Sequence, residues 1–292
     1  MHISQALDAF LVQLAADGRS EHTIGQYRRH VGALDRWLTT TGRPRDLLSI
    51  DHETLALFLV SDAARCRPDG KPKKATSTNG LRTSLRAFWA FTHAAGYVSI
   101  NPARLIRRAR CTPPPPRALS EDEVRRLLAA VDASEGVAAR RDAALVRLLL
   151  GTGLRLSSAL ALTTDDVDLA RGEVHVRKAK NDSPVTLPLS REATRDLRAY
   201  LRGRAPGYLF HGEDGPLTRR QAGRRIEEAA ERAGLRGRAS AHVLRHIFAC
   251  RLLRTTGGNL VLVQQALAHR SIASTTIYAR VEAGALREAL RA

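Results

Sequence analysis

The segment His242-Val243-Leu244-Arg245-His246, followed downstream by His269 and Tyr278, carries side chains suited to chemistry on a phosphodiester. An arginine between two histidines makes a cradle for a phosphate and a poor seat for a metal ion. Tyr278 supplies a candidate nucleophile. Well upstream, a second arginine closes the run Gly151-Thr152-Gly153-Leu154-Arg155. Two arginines, histidines and a tyrosine without a metal-ligand set point to covalent, metal-free attack on a DNA phosphate. His242 and His246 stand at the i, i+4 spacing of a helical metal pair, but no glutamate follows His242, and Arg245 between them repels a cation. The Gly151–Gly153 turn lacks the Gly-Lys-Ser/Thr of a nucleotide-binding loop, so ATP has no support. The expectation is a site with no metal and no cofactor. His246 is expected to be structural, packing its helix or backing the site.

Charge narrows the partner. The 292 residues hold 47 Lys+Arg against 29 Asp+Glu, a formal net charge of +18. Residues 1–110 carry 17 Lys+Arg against 9 Asp+Glu, so the excess is shared between both parts of the chain. Two basic modules fit a grip on one polyanion, where affinity grows by release of condensed counterions. An Arg- and Ala-rich composition also follows from GC-rich coding, so charge alone does not name the partner. The 13 aromatic residues mostly fall at core spacing, which favours duplex DNA over a stacking platform for single strands. Cys66, Cys111 and Cys250 are odd in number and far apart, implying neither a zinc site nor a disulfide framework. The start Met1-His2-Ile3-Ser4 shows no signal peptide, and no apolar run reaches membrane-spanning length. A soluble, cytoplasmic protein is expected.

The elements that must position these residues fall into two parts. Pro113–Pro116 cannot continue a helix and, within the arginine-rich run 107–117, read as an extended linker. That linker either lies along a DNA backbone or is simply solvated. Ser120-Glu121-Asp122-Glu123 is a capping-box pattern opening a helix with Val124, Leu127 and Leu128. Residues 1–106 therefore form one domain and 118–292 a second. In the first, Ser20 caps a helix whose Ile24, Tyr27, Val31, Leu34 and Leu38 draw one buried stripe, with Arg28, Arg29 and Arg36 opposite. A second helix runs through Leu81, Leu85, Phe88 and Phe91, preceded by Lys71, Lys73 and Lys74 and flanked by Arg82 and Arg86. In the second domain Glu173–Val176 and Val185–Pro188 read as strands about the turn Asn181-Asp182-Ser183, with Lys178 and Lys180 toward the tip. Residues 218–233 and 241–256 read as helices. The fold class is mainly α with a small β-sheet, arranged as a two-domain clamp for duplex DNA.

Taken in order, Gly153-Leu154-Arg155, His242–His246, Leu267-Ala268-His269 and Thr275-Thr276-Ile277-Tyr278 resemble the motifs of the tyrosine recombinase, or phage integrase, family. The hairpin lysine and Asn101-Pro102-Ala103 before the linker match as well. The resemblance covers nearly the whole chain and is to the Xer-like or simple transposon/integron type. It implies a helical, SAM-like core-binding domain, a catalytic domain, and site-specific recombination through a 3′-phosphotyrosyl bond and a Holliday junction. Arg155 and Arg245 would hold the phosphate oxygens through paired, permanently charged donors. Tyr278 would attack, His242 accept its proton, His269 bind the phosphate, and Lys180 protonate the departing 5′-oxygen. Lys180 precedes Pro188 by the family's interval; Lys178 is its competitor. Ser158, Ala268 and Arg280 stand where the family often has glutamate, glycine and histidine. The implied partners are double-stranded DNA and a homotetramer on two DNA sites, with a second recombinase or accessory protein left open. The tail with Val281, Leu286 and Leu290 packs either on a neighbouring protomer or in cis. The alternatives are a type IB topoisomerase-like enzyme, which relaxes DNA without recombinant product, and a catalytically silent DNA-binding regulator of the same fold.

Overall fold

The computed structural model describes residues 1–111, 119–177 and 184–267. The chain separates into two compact units, Met1–Pro113 and Pro114–Ala292. Among the described residues no helix is long and apolar enough to cross a membrane.

The first unit is helical: α1 (Ile3–Ala16), α2 (Glu21–Thr40), α3 (His52–Val60), the single turn α4 (Asp62–Arg65) and α5 (Ala75–Ala94). Ser20 opens α2 by accepting the Thr23 N–H, the cap expected from the sequence. The stripe on α2 is buried at Ile24, Val31, Leu34 and Leu38, while Tyr27 is half-buried and meets Phe10 edge-on at 5.2 Å. Phe58, Phe88 and Trp89 are fully buried, so the few aromatic rings of this unit are spent on its core. Arg28, Arg29, Arg36 and Arg86 are exposed on the outer faces. Lys73 is an exception among the basic candidates. Its Nζ donates to the Ala63 and Ala64 carbonyls at 3.2 and 3.0 Å, satisfying the C-terminal end of α4.

The end of this unit is held by a side chain thirty positions upstream. Asn79 on α5 is buried; its Oδ1 accepts the Ala109 N–H at 2.7 Å and its Nδ2 donates to the Ala109 carbonyl at 2.9 Å. The amide thus stands in for a strand partner and leaves neither main-chain group of Ala109 wanting. Asn79→Ala is expected to raise tryptic cleavage after the exposed Arg107, Arg108 and Arg110 by about tenfold, the worth of two such bonds when opening limits proteolysis. Peptide mapping by mass spectrometry reads this directly, and an unchanged cleavage rate would show that the pairing holds nothing.

The second unit is built on α7 (Val137–Thr152), buried along most of its length because residues 143–150 are apolar but for Arg147. Before it runs α6 (Glu121–Asp132), opened by the Ser120/Glu123 capping box read from the sequence. After it come the short α8 (Leu156–Leu160) and an antiparallel sheet of β1 (Val167–Asp168), β2 (Glu173–Val176) and β3 (Val185–Pro188), in that order. The β2–β3 hairpin pairs Val174 with Leu187 and Val176 with Val185, burying Val174, Val176 and Leu187 on one face. The two-residue β1, too short to leave a pattern, joins the two strands expected from sequence. Then follow α9 (Arg191–Leu201), α10 (Arg219–Arg232), α11 (Ala241–Thr255) and α12 (Leu260–Ala266). Helices α6, α9, α10 and α11 all pack on α7.

Ion pairs fix the polar edges of this packing. Arg147, almost wholly buried on α7, bridges Asp132 of α6 at 2.6 Å and Asp196 of α9 at 2.7 Å. Asp142, also on α7, takes Arg141 at 2.7 Å and Arg225 of α10 at 2.6 Å. Glu121 at the start of α6 grips Arg251 and Arg254 of α11, and these guanidinium groups hold its carboxyl below the usual range. With its charges paired in this way, the helix that bears Arg245 is tied to the first helix of the unit.

Candidate active site

Arg245 sits in the second turn of α11, buried, between the end of α7 and the end of α12. Its Nη1 donates to the Gly153 carbonyl at 2.6 Å and its Nη2 to the Leu267 carbonyl at 2.7 Å. A guanidinium is planar with five N–H donors, so two carbonyls occupy one hydrogen on each terminal nitrogen and lock the plane of the group. Both acceptors matter by position. Gly153 begins Gly153-Leu154-Arg155, and Leu267 immediately precedes Ala268-His269. One side chain thereby ties together the three stretches that carry the candidate phosphate-binding residues.

The Gly153 turn is itself sterically determined. Gly153 caps α7 with φ +64°, the left-handed conformation that glycine adopts without penalty, and its N–H bonds the Leu149 carbonyl at 3.0 Å. The half-buried Phe248 of α11 lies against it so closely that a Cβ would stand 2.2 Å from its ring. The turn ends α7 and within two residues places Arg155, half-buried, as the N-cap of α8, where its carbonyl accepts from Ser158 and Ala159 at 2.9 and 3.0 Å. Ser158 lies one turn into that helix.

His242 is exposed in the first turn of α11, one turn ahead of Arg245, behind the Ser240 cap whose Oγ accepts the Val243 N–H at 3.3 Å. His246 is buried, with Nε2 3.9 Å from Cys250 Sγ one turn further on, in a packing position. Arg155, His242 and Arg245 are thus placed by α8, α11 and the turn between α7 and α8. Lys180 and its competitor Lys178, His269, Tyr278, Ala268, Arg280 and the tail residues Val281, Leu286 and Leu290 lie outside the described residues. So do Pro113–Pro116 of the linker and the turn Asn181–Ser183.

Three features of the site escaped the sequence reading. The Gly153 and Leu267 carbonyls are main-chain groups and leave no residue-type signal. The Phe248 contact on Gly153 pairs residues distant in sequence, which periodicity cannot show. At the root of the β2–β3 hairpin, Arg177 forms an ion pair with Asp166, whose side chain is 5% exposed. Thr163 donates to the other oxygen of Asp166 from its N–H at 2.8 Å and its hydroxyl at 2.9 Å. Burial works against that carboxylate, but the two Thr163 bonds and Arg177 outweigh it and keep its pKa below the ordinary range.

Sequence and fold together define a class. Residues 117–284 match the profile described as the phage integrase family, and residues 7–96 that of the phage integrase N-terminal SAM-like domain. The solved lambda integrase tetramer bound to a Holliday junction shares the fold, with a TM-score of 0.72 at 20% identity over 93% of this chain and 78% of that one. Among characterised relatives, the tyrosine recombinase XerD of Mycobacterium tuberculosis is 32% identical over 97% of this chain and 94% of its own length. The tyrosine recombinase XerC of Xanthomonas campestris pv. campestris is 32% identical over 95% of this chain and 84% of its own. The chain belongs to the phage integrase family and is a tyrosine-type site-specific recombinase.

Proposed function

We propose that the protein recombines two duplex DNA sites by covalent strand exchange, with Tyr278 as nucleophile. The observation that carries this reading is the Arg245 clip, which joins the turn bearing Arg155 to the helix end that leads to His269. A phosphodiester repels a nucleophile, and its transition state gathers more charge on the non-bridging oxygens. Arg155 and Arg245 supply fixed cations for those oxygens, worth roughly 3–4 kcal/mol for one strong preorganised donor. His269 adds a hydrogen bond to the same phosphate.

The Tyr278 oxygen forms a bond to phosphorus as the bond to the 5′-oxygen breaks, giving a 3′-phosphotyrosyl linkage. An unperturbed phenol has a pKa of about 10, so its proton needs an acceptor, for which His242 is exposed and one turn from Arg245. Lys180 delivers a proton to the leaving 5′-oxygen. Attack of a 5′-hydroxyl from another strand on the phosphotyrosine reverses the step and joins new partners without ATP. Two rounds pass through a Holliday junction, on a homotetramer holding two sites, in the bacterial cytoplasm. In this reading 1–106 is the core-binding domain, 107–117 the linker and 118–292 the catalytic domain.

Covalent capture on a supercoiled genomic DNA library in EDTA tests this reading, with Tyr278→Phe as the parallel control. Protein-linked 3′ ends from wild type alone are expected, and sequencing them identifies the site. Tight duplex binding with no adduct from the wild type would sink the proposal in favour of a silent regulator. Relaxation of a plasmid carrying the site, with no recombinant formed, would turn it toward a topoisomerase.

A further inference from the structure

We propose that Arg177 is a positioning residue for proton delivery, anchoring the root of the lysine-bearing hairpin to the buried Asp166 carboxylate. The inference rests on the reading of that hairpin as the source of the leaving-group proton. Arg177 is the residue directly after β2, one position before Lys178 and three before Lys180. The hairpin strands are each four residues long and pair through a short ladder, with Val174, Val176 and Leu187 buried and Val185 packed beside them. β1 pairs only with the Glu173–Val174 end of β2, so the opposite end, where Arg177 stands, takes no support from a third strand.

Beyond the ladder and the apolar packing, two side-chain contacts among the described residues brace that end. His175 Nδ1 and Thr186 Oγ1 meet across the strands at 2.8 Å. Arg177 reaches out of the hairpin altogether, to the turn Thr164–Asp166 that precedes β1. Asp166 is a rigid anchor because its carboxylate is buried and its second oxygen is already taken by Thr163. An exposed ion pair adds little by itself. Here the guanidinium is 66% exposed but the carboxylate only 5%, so the desolvated side of the pair is the anion, and removing Arg177 leaves that oxygen without its charged partner. The expected response is that the root shifts to readmit water and displaces the chain that continues to the proposed donor. Proton transfer demands hydrogen-bond reach to the 5′-oxygen, so this step is the one that suffers.

A leaving group that needs no proton isolates the effect. In a 5′-bridging phosphorothiolate the tyrosine–phosphorus bond forms as the phosphorus–sulfur bond breaks, and the sulfur departs as a thiolate. A thiol has a pKa of about 8.5, so that anion is stable without a proton donor. Arg177→Ala, Arg177→Lys and Asp166→Asn would be assayed for covalent attachment on nicked duplexes carrying the captured site, with ordinary and sulfur-bridged linkages. Arg177→Ala and Asp166→Asn are expected to slow the ordinary substrate by roughly 10- to 100-fold, part of what a general acid supplies, and to leave the sulfur-bridged rate near wild type. Arg177→Lys should recover part of the loss, and duplex affinity should hold throughout. Equal slowing on both substrates, weaker binding as the whole effect, or wild-type rates from Arg177→Ala would overturn the proposal. Lys180→Ala and Lys178→Ala run beside them keep the two readings apart. If neither lysine variant is rescued by sulfur, the assignment of the proton donor fails; if one is and Arg177→Ala is not, only the role of Arg177 falls.

Discussion

Arg245→Lys is expected to slow formation of the covalent adduct by roughly two to three orders of magnitude, the cost of losing one preorganised donor group at a developing oxyanion. Lysine keeps the charge and so should keep duplex affinity and its salt dependence near wild type. What it loses is the planar fork. In the structure that fork also spans the Gly153 and Leu267 carbonyls, which stand on different elements and are both buried. A single ammonium cannot reproduce both bonds in one plane, and each buried carbonyl left without its donor costs about 1–3 kcal/mol. The variant should therefore be less stable as well as slower, and Arg245→Ala, which abandons both carbonyls, less stable still. Single-turnover attachment and urea unfolding on the same preparations separate the two losses. A lysine variant that attaches within tenfold of wild type would show that charge alone, and not the clipped geometry, does the work at this position.

That double duty marks where the sequence stops being informative. Periodicity located the α2 and α5 stripes because a buried helix face repeats every three to four residues, and the capping box at Ser120–Glu123 placed the start of α6. The hairpin strands were legible from their β-branched runs and the turn cluster between them. Motif order singled out Arg155, His242 and Arg245 as candidates, since each is a residue type with few other reasons to stand in that company. What stayed hidden are relations between distant residues: Asn79 with Ala109, Arg177 with Asp166, Arg245 with two carbonyls. A main-chain acceptor has no residue identity, and an arginine in a chain with 47 Lys+Arg does not announce which carboxylate it will find. Lys73 illustrates the converse, since a lysine in a basic run turned out to cap a helix.

Gly153 is the position where fold and chemistry are hardest to separate, and Gly153→Ala is expected to damage both. Two penalties arise at once. The φ of +64° costs an alanine about 1–2 kcal/mol. The new methyl would lie 2.2, 2.8 and 2.9 Å from three ring carbons of Phe248, so the ring or the turn must move, at about 1–3 kcal/mol for overpacking. The total loss of stability is expected at about 2–5 kcal/mol. If the turn moves, it carries the carbonyl that holds Arg245 and the backbone of Arg155 two residues on. A misplacement of about 1 Å at such a site is worth roughly a hundredfold in rate. Gly151 is the matched control, because it lies in the last turn of α7, shows no positive φ and would place an added methyl with no neighbour within 4 Å. Gly151→Ala should be neutral or stabilising by about 0.5–1 kcal/mol, as for glycine in a helix. Phe248→Leu in the Gly153→Ala background should return part of the overpacking energy and none of the backbone penalty, giving a non-additive pair in a double-mutant cycle. Strictly additive unfolding energies, or a Gly153→Ala protein as stable and active as Gly151→Ala, would mean that the close approach of Phe248 does not set the turn.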